Sequence, residues 1–258
     1  MTQQSDTPHL HEPFRRLRRL VGDQGFEALQ NCSVILFGVG GVGSWAAESL
    51  VRSGIGALTI VDSDEVALSN INRQMVALHS TVGKSKVAVL GERLLDINPK
   101  LTLTIESCFY TTDTQDQFDL DSYDYVLDAI DTLLPKKTLI EQASKSTATF
   151  FSSMGAALKT DPTRIKIAPI AKTKGCGLAK LIRKDMHRKG LKFKFMTVYS
   201  DELLENYYYA EDEKLDSTIV QKQVNGTVAH ITVIFGNFLA SMVINNCLEQ
   251  LGALKKVR

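Results

Sequence analysis

A chain of 258 residues, 44% hydrophobic and 23% charged, has the size and composition of a soluble globular protein of one large domain or two small ones. Its 30 basic and 29 acidic residues leave a formal net charge of +1, so the chain as a whole is no polybasic nucleic-acid binder, although charge can still be segregated within it. Cys32, Cys108, Cys176 and Cys247 form no C-x-x-C pair and no close framework, which predicts no structural zinc, no disulfide scaffold and a reducing cytoplasm as the location.

In chain order, residues 1–12 read as a mobile tail, polar and without the basic-then-apolar pattern of a secretory signal. "FRRLRRL" predicts a basic helix and "GDQGFEALQ" a short second one. Strands then alternate with helices. "SVILFG" precedes a helix over 42–53, "ALTIVD" over 57–62 precedes helical material to Asn98, and the strands "LTLTIES" and "YDYVLDAI" lead to a helix over 133–145 and the strand "ATFFSS". That alternation predicts an α/β fold, Rossmann-like and doubly wound, with a mostly parallel sheet.

Beyond residue 155, "ALKTDPTRIKIAPI" predicts two antiparallel strands across an Asp-Pro turn, followed by a basic helical segment and the strand "FKFMTVYS". These make an antiparallel C-terminal extension of the same sheet. Residues 172–194 carry nine cationic side chains against the single acid Asp185, and residues 201–216 reverse the sign. "TVAHITVIFGNFLASMVINNCLEQL" is apolar for about 20 residues, interrupted by His230, Asn237, Asn245 and Asn246. It reads as a buried helix pair behind the sheet, with a membrane-seeking helix as the alternative.

The chemistry starts in "VILFGVGGVGSWAAESL". Strand, tight turn and helix meet at Gly38, Gly40, Gly41 and Gly43, where the backbone can approach a phosphate resting on the new helix's free N–H groups. Asp62, at the end of the second strand, stands where a ribose-binding carboxylate belongs. Taken alone, these residues suit NAD, FAD and ATP equally.

The next segment discriminates. Within 25 residues of Asp62 it offers Asp64, Asn70, Arg73, Gln74, Lys84 and Lys86, polar and cationic groups that a triphosphate needs and a hydride-transfer site does not. Arg73 and Lys86 can neutralise charge building on departing pyrophosphate. Asp131, at the mouth of the strand in "YVLDAID", can hold magnesium. Lys84 reads as a solvated helix-start charge, Asp128 as support for the strand end, and Trp45 as packing. His79, His187 and His230 are scattered and suggest no catalytic role.

The residues "GVGGVGSWAAESLVRSGIG", "LTIVDSDEVALSNINRQ", "TVGKSKVAV", "INP" and "VLDAIDT" resemble the E1-like adenylating enzymes, the superfamily of ubiquitin-activating, molybdopterin-synthase-activating and thiamine-pathway enzymes. Within it, "GSWAAESLVRSGIG", "INRQMVALHSTVGKSK" and "KTDPTRIKIAPIAKT" are most similar to the tRNA threonylcarbamoyladenosine dehydratase branch. The resemblance implies one adenylation domain over 13–258, with a nucleotide-binding half (13–155) and a substrate- and tRNA-facing half (156–258). It implies Asp62 on the ribose hydroxyls, Arg73 and Lys86 on the phosphates, Asp131 on Mg2+, and Asn70 and Gln74 lining an ATP site. It also implies that the arginine of an N-terminal aromatic-x-Arg motif, here Phe14-Arg15-Arg16, reaches the partner subunit's nucleotide, so Arg16 points to a homodimer. Without the resemblance, Arg16 is one of four arginines on a basic helix.

Members that form a thioester carry a catalytic cysteine, and several bacterial relatives carry two C-x-x-C zinc pairs. This chain has neither pair, and Met196 stands where a dehydratase-type cysteine precedes "YSDE". Cys176 in "KTKGCGLAK" is a substitute by position only. The implied reaction dispenses with a thiol: the threonylcarbamoyl carboxylate of tRNA attacks the α-phosphate of ATP, and the tethered carbamoyl oxygen then closes on the acyl-adenylate and expels AMP. The resemblance implies as substrate an ANN-decoding tRNA modified at adenosine 37, with a cysteine desulfurase or sulfur-acceptor system as a further partner. The basic stretch 172–194 then supplies phosphate contacts, with Phe193 and Phe195 as conceivable stacking partners, although their alternation along a strand predicts that at least one of them is buried in the core. An activator of a ubiquitin-like sulfur carrier would share every nucleotide residue, an NAD-dependent oxidoreductase would share only the glycines and Asp62, and a non-catalytic tRNA-binding module remains a further alternative.

Overall fold

The computed structural model of the protein describes residues 12–207, 225–252 and 254. Helix α1 (Arg15–Asn31) leads into β1 (Ser33–Phe37), α2 (Gly43–Arg52), β2 (Ala57–Val61), α3 (Lys86–Ile97), β3 (Thr102–Glu106), β4 (Tyr125–Asp128), α4 (Leu133–Ala143) and β5 (Thr149–Ser153). There follow β6 (Ile165–Pro169), α5 (Gly177–Arg188), β7 (Met196–Ser200) and α6 (Ala229–Gln250).

The strands form one seven-stranded sheet in the order β3-β2-β1-β4-β5-β7-β6. All neighbours run parallel except β6, which pairs antiparallel with β7 from Ile165↔Ser200 to Pro169↔Met196. The central strands are covered on both faces, so they read as continuous apolar runs. Along β1, Val34 and Leu36 face a core built with α1, α2, α3 and α6, while Ile35 and Phe37 face one built with α4 and α5. From β1 the chain proceeds through β2 to β3 on one side, then resumes at β4 on the other. The crevice between β1 and β4 is therefore the switch point where open α/β sheets receive ligands.

Several expectations need correction. The apolar C-terminal segment is one helix, α6, not a pair. It is long and apolar enough to span a membrane, but Ile231, Phe235, Leu239 and Val243 are fully buried among the protein's own side chains. Three of its four polar interruptions have partners within the fold, and Asn245 is exposed: Asn237 accepts from the Ser49 hydroxyl, Asn246 from the Tyr125 hydroxyl, and the His230 ring meets the Thr160 carbonyl. The first strand expected after residue 155 does not form, because Leu158 takes a left-handed conformation (φ 59°) that breaks the extended run. Asp161 caps a short 3-10 turn at Pro162–Arg164, and β6 finds its antiparallel partner in β7.

Between Asp62 and Asn98 only Lys86–Ile97 is α-helical, preceded by a loop with one 3-10 turn at Leu68–Asn70. The two N-terminal helices join at Gly22, whose φ of 75° interrupts α1. Residues 1–11 of the expected tail, and Glu211, Asp212, Glu213 and Asp216 of the acidic stretch, lie outside the described residues.

Candidate active site

A cleft of about 570 Å³ opens at the carboxyl ends of β1, β2, β4 and β5. The glycines of its first turn divide the work. Gly38 sits at φ 91°, and a Cβ there would lie 2.8 Å from the Ala129 carbonyl oxygen, so it permits both the turn and the approach of the β4 loop. Gly40 and Gly41 line the cleft, and a Cβ at Gly40 would meet nothing nearer than 3.8 Å. The space beside Gly40 is therefore open to a ligand.

Gly43 does not line the cleft. Its Cβ would fall 1.8 Å from the Gly38 carbonyl oxygen, which makes it the residue that lets α2 press on the turn rather than a ligand contact. Gly43→Ala is expected to destabilise the protein by about 3 kcal/mol or more, since the clash is with backbone that cannot step aside. A urea melt monitored by circular dichroism reads the loss.

Asp62 braces the turn as well as facing the cleft. One carboxylate oxygen accepts the Val39 N–H at 2.6 Å and the other the Asp64 N–H at 2.8 Å, which leaves each a further lone pair for a ribose hydroxyl. Lys86 opens α3, is 5% exposed, and donates to Asp64 at 2.7 Å. Asp64 thus aims the lysine into the cleft instead of meeting ligand alone. Asn70 is buried and ties its loop by accepting the Ala67 N–H at 3.1 Å.

Arg73 is half-buried and folds its guanidinium onto the Ser69 carbonyl and the Asn72 side chain, both at 2.9 Å. Its own carbonyl takes bonds from the Trp45 ring N–H and the Thr232 hydroxyl, which join α2 and α6 to the loop. Gln74 is 7% exposed, and its side-chain oxygen has no hydrogen-bond partner. A buried polar atom left without a partner beside an open cleft marks a place for a ligand group.

Asp131 is exposed and lines the cleft, on the loop between β4 and α4. That loop is held from beneath by Asp128, expected to support the strand end, and by Lys136, which the sequence did not point to. Lys136 and Asp128 are both 0% exposed and lie 2.7 Å apart. Asp128 also accepts the Ile130 N–H at 3.0 Å and the Ser152 hydroxyl at 2.6 Å, while Lys136 donates to the Ile130 carbonyl at 2.8 Å. The expected supporting role of Asp128 holds, and its partner's signal was a lysine placed where α4 is otherwise apolar.

The structure adds further walls. Cys108, Phe109 and Tyr110, beyond β3, line the cleft on the side of Asp62, and burial pushes the Tyr110 hydroxyl pKa up. Residues 153–157, Leu178, Asn225 and Thr227 line the opposite side. Strand-end position was the signal available for the loops after β3 and β5. No cluster of three or more metal-ligating side chains occurs among the described residues. A magnesium ion, which keeps several waters and takes one or two carboxylates plus phosphates, requires no more than Asp131 offers.

Arg16 is exposed on α1 and is not among the residues lining its own cleft. Lys84 is exposed, as expected. Cys176 is buried at the start of α5, and no thiol but that of Cys108 reaches the cleft among the described residues. Phe193 and Phe195 both pack on Phe150, with centroids 5.7 and 5.0 Å away, and Phe195 is buried, as expected for at least one of them. Lys172, Lys174, Lys180, Lys184, Lys192 and Lys194 are exposed and enter no ion pair among the described residues, whereas Arg188 and Lys189 are tied to Asp185 and Glu141.

The ThiF family model matches residues 14–255. The chain is 45% identical over 193 residues to a tRNA threonylcarbamoyladenosine dehydratase of Bacillus subtilis, covering 75% of this chain and 76% of that protein. A dehydratase of the same name from Haemophilus influenzae is 36% identical over 244 residues, 92% of this chain and 94% of the relative. The crystal structure of the Escherichia coli tRNA N6-threonylcarbamoyladenosine dehydratase in complex with ATP matches with a TM-score of 0.82 and 32% identity, covering 96% of this chain and 98% of that one.

Proposed function

The chain belongs to the ThiF family, and on that premise we propose that it is an ATP-dependent tRNA threonylcarbamoyladenosine dehydratase, which closes the threonylcarbamoyl side chain of adenosine 37 into its cyclic form. The observation that carries the reading is the likeness to the ATP-bound dehydratase over nearly the full length of both chains, together with a cleft whose open space beside Gly40 and whose cations suit a triphosphate.

In this reading the turn from Gly38 to Gly41 cradles the phosphates and Asp62 takes the ribose. Lys86 and Arg73 bear on the phosphate chain, where fixed cations stabilise the charge that develops as the bond to pyrophosphate breaks. Asn70 and Gln74 complete the wall. Magnesium, when bound, neutralises phosphate charge, and Asp131 is the carboxylate that would hold it. The substrate carboxylate attacks the α-phosphorus and pyrophosphate leaves. The carbamoyl oxygen then attacks the activated carbonyl carbon, AMP leaves, and one proton is lost from the urea nitrogen. Because nucleophile and electrophile share one side chain, the chain's residues need only position the arm and exclude water.

Residues 156–258 form the substrate-facing half, and the six exposed lysines of 172–194 give tRNA phosphates a docking face beside the cleft. Arg16 acts across a homodimer, on the partner's nucleotide. Free thiols at all four cysteines agree with a reducing cytoplasm.

Incubation with ATP, magnesium and tRNA bearing the linear modification, followed by nucleoside mass analysis, is expected to show loss of one water and ATP-dependent release of AMP. An unaltered nucleoside, with pyrophosphate exchange instead dependent on a protein ending in Gly-Gly, would establish the sulfur-carrier activator in its place.

A further inference from the structure

The residues assigned to the nucleotide come from the ends of β1 and β2, from the loop up to Lys86, and from the Asp131 loop. The cleft continues past them, over the end of β5, into a lobe with no assigned occupant. We infer that this lobe, built around Gly155, is the subsite for the amino-acid arm of the modified adenosine, a small N-carbamoylated hydroxy acid. The inference rests on the dehydratase reading and locates where its substrate binds.

Topology sets the direction. In the sheet β4 lies between β1 and β5. A carboxylate placed on an α-phosphate beside Asp131 has the adenosine of ATP on its β2 side, so the rest of its own arm extends toward β5.

Gly155 shows what that side is shaped for. Its backbone is not in the left-handed region, and a Cβ there would meet nothing nearer than 3.9 Å, at Cys176 and Leu178. Neither conformation nor packing calls for a glycine, in contrast to Gly38 and Gly43. The missing side chain is space in the cleft, and Ala156 and Ala157, which also line it, keep the same wall shallow.

That wall is stiff. The next residue, Leu158, is held at φ 59° by donating to the Gly226 carbonyl at 2.9 Å and accepting the Leu204 N–H at 3.2 Å. Lys159 is 4% exposed and donates to the Glu202 carbonyl at 2.5 Å, and the Glu202 carboxylate in turn accepts the Thr160 and Asp161 N–H groups. These bonds fix the segment that follows Gly155, Ala156 and Ala157 in one conformation, so the wall it carries is held in place. Beside it, on the same side of the cleft, Asn225 and Thr227 bring an amide and a hydroxyl suited to a urea and a secondary alcohol.

The test is the series Gly155→Ala, Gly155→Val and Gly155→Leu, read by ATP affinity, by binding of tRNA lacking the modification, and by steady-state cyclisation of modified tRNA. ATP affinity and binding of unmodified tRNA should stay within about twofold of wild type, while kcat/KM for modified tRNA falls roughly threefold with alanine and more than about 50-fold with valine or leucine. Wild-type turnover in the valine variant would overturn the assignment. So would a parallel loss of unmodified-tRNA binding, or a valine variant that no longer binds ATP beside an unaffected alanine variant. A wild type that binds ATP but leaves the modified nucleoside intact overturns the dehydratase reading itself, and the arm's subsite with it.

Discussion

Lys86→Ala is expected to lower the rate of adenylate formation by about 10²- to 10³-fold, the range found when one preorganised donor is removed from a developing oxyanion. The lysine is 5% exposed and lines the cleft, and its ammonium spends one N–H on Asp64 at 2.7 Å, which leaves two for a bound ligand. Because Asp64 is well exposed, losing the pair should change stability by no more than about 1 kcal/mol on that account. Lys86→Met keeps the buried stem and removes only the charge, so it should lose as much activity as alanine while melting like wild type. Pyrophosphate exchange at saturating ATP, set beside a thermal melt, separates the two effects. Exchange at the wild-type rate in the methionine variant would remove Lys86 from the phosphate site.

Asp128→Ala is expected to cost about 3–5 kcal/mol of folding stability, because it leaves the Lys136 ammonium buried without its counter-ion. The Ile130 carbonyl alone cannot compensate a full charge at zero exposure. The change also releases the Ile130 N–H and the Ser152 hydroxyl, so the loop bearing Asp131 should loosen. The double variant Asp128→Asn/Lys136→Met removes both charges while keeping most of the shape, and should recover a large part of the loss. Urea denaturation of the single and double variants checks this: a double variant as unstable as Asp128→Ala would mean that packing rather than charge sets the cost.

The nucleotide half was legible because its signals are local. The strands β1, β2 and β4 are short apolar runs that each lead on to a helix, and Gly38, Gly40, Gly41, Asp62, Arg73 and Lys86 lie close in sequence to the turns that bring them to the cleft. The half after residue 155 was less legible because its conformations are set by distant partners. Leu158 looks like strand in sequence, yet Gly226 and Leu204 hold it left-handed. The apolar run from Ala229 looked like two helices behind the sheet and is one, whose Asn237 and Asn246 answer to Ser49 and Tyr125. Lys136 and Gly155 escaped notice for a related reason: a buried charge and an empty volume are defined by surroundings, and neither carries a motif. Phe193 and Phe195 have basic neighbours that suit a base, but their alternation pointed at least one of them to the core, and both pack on Phe150.

The single helix α6 has a consequence for the order in which the molecule is made. Its middle fills the core shared by α1 and α2, and Thr232 in its first turns closes on the Arg73 loop. A nascent chain ending before Ala229 already contains every residue assigned to ATP, yet it exposes the apolar face of α2 and lacks the hydroxyl that seats Arg73. Until some 20 further residues are made, a stalled or clipped chain carries an uncovered apolar surface of the kind that aggregates or is taken up by chaperones.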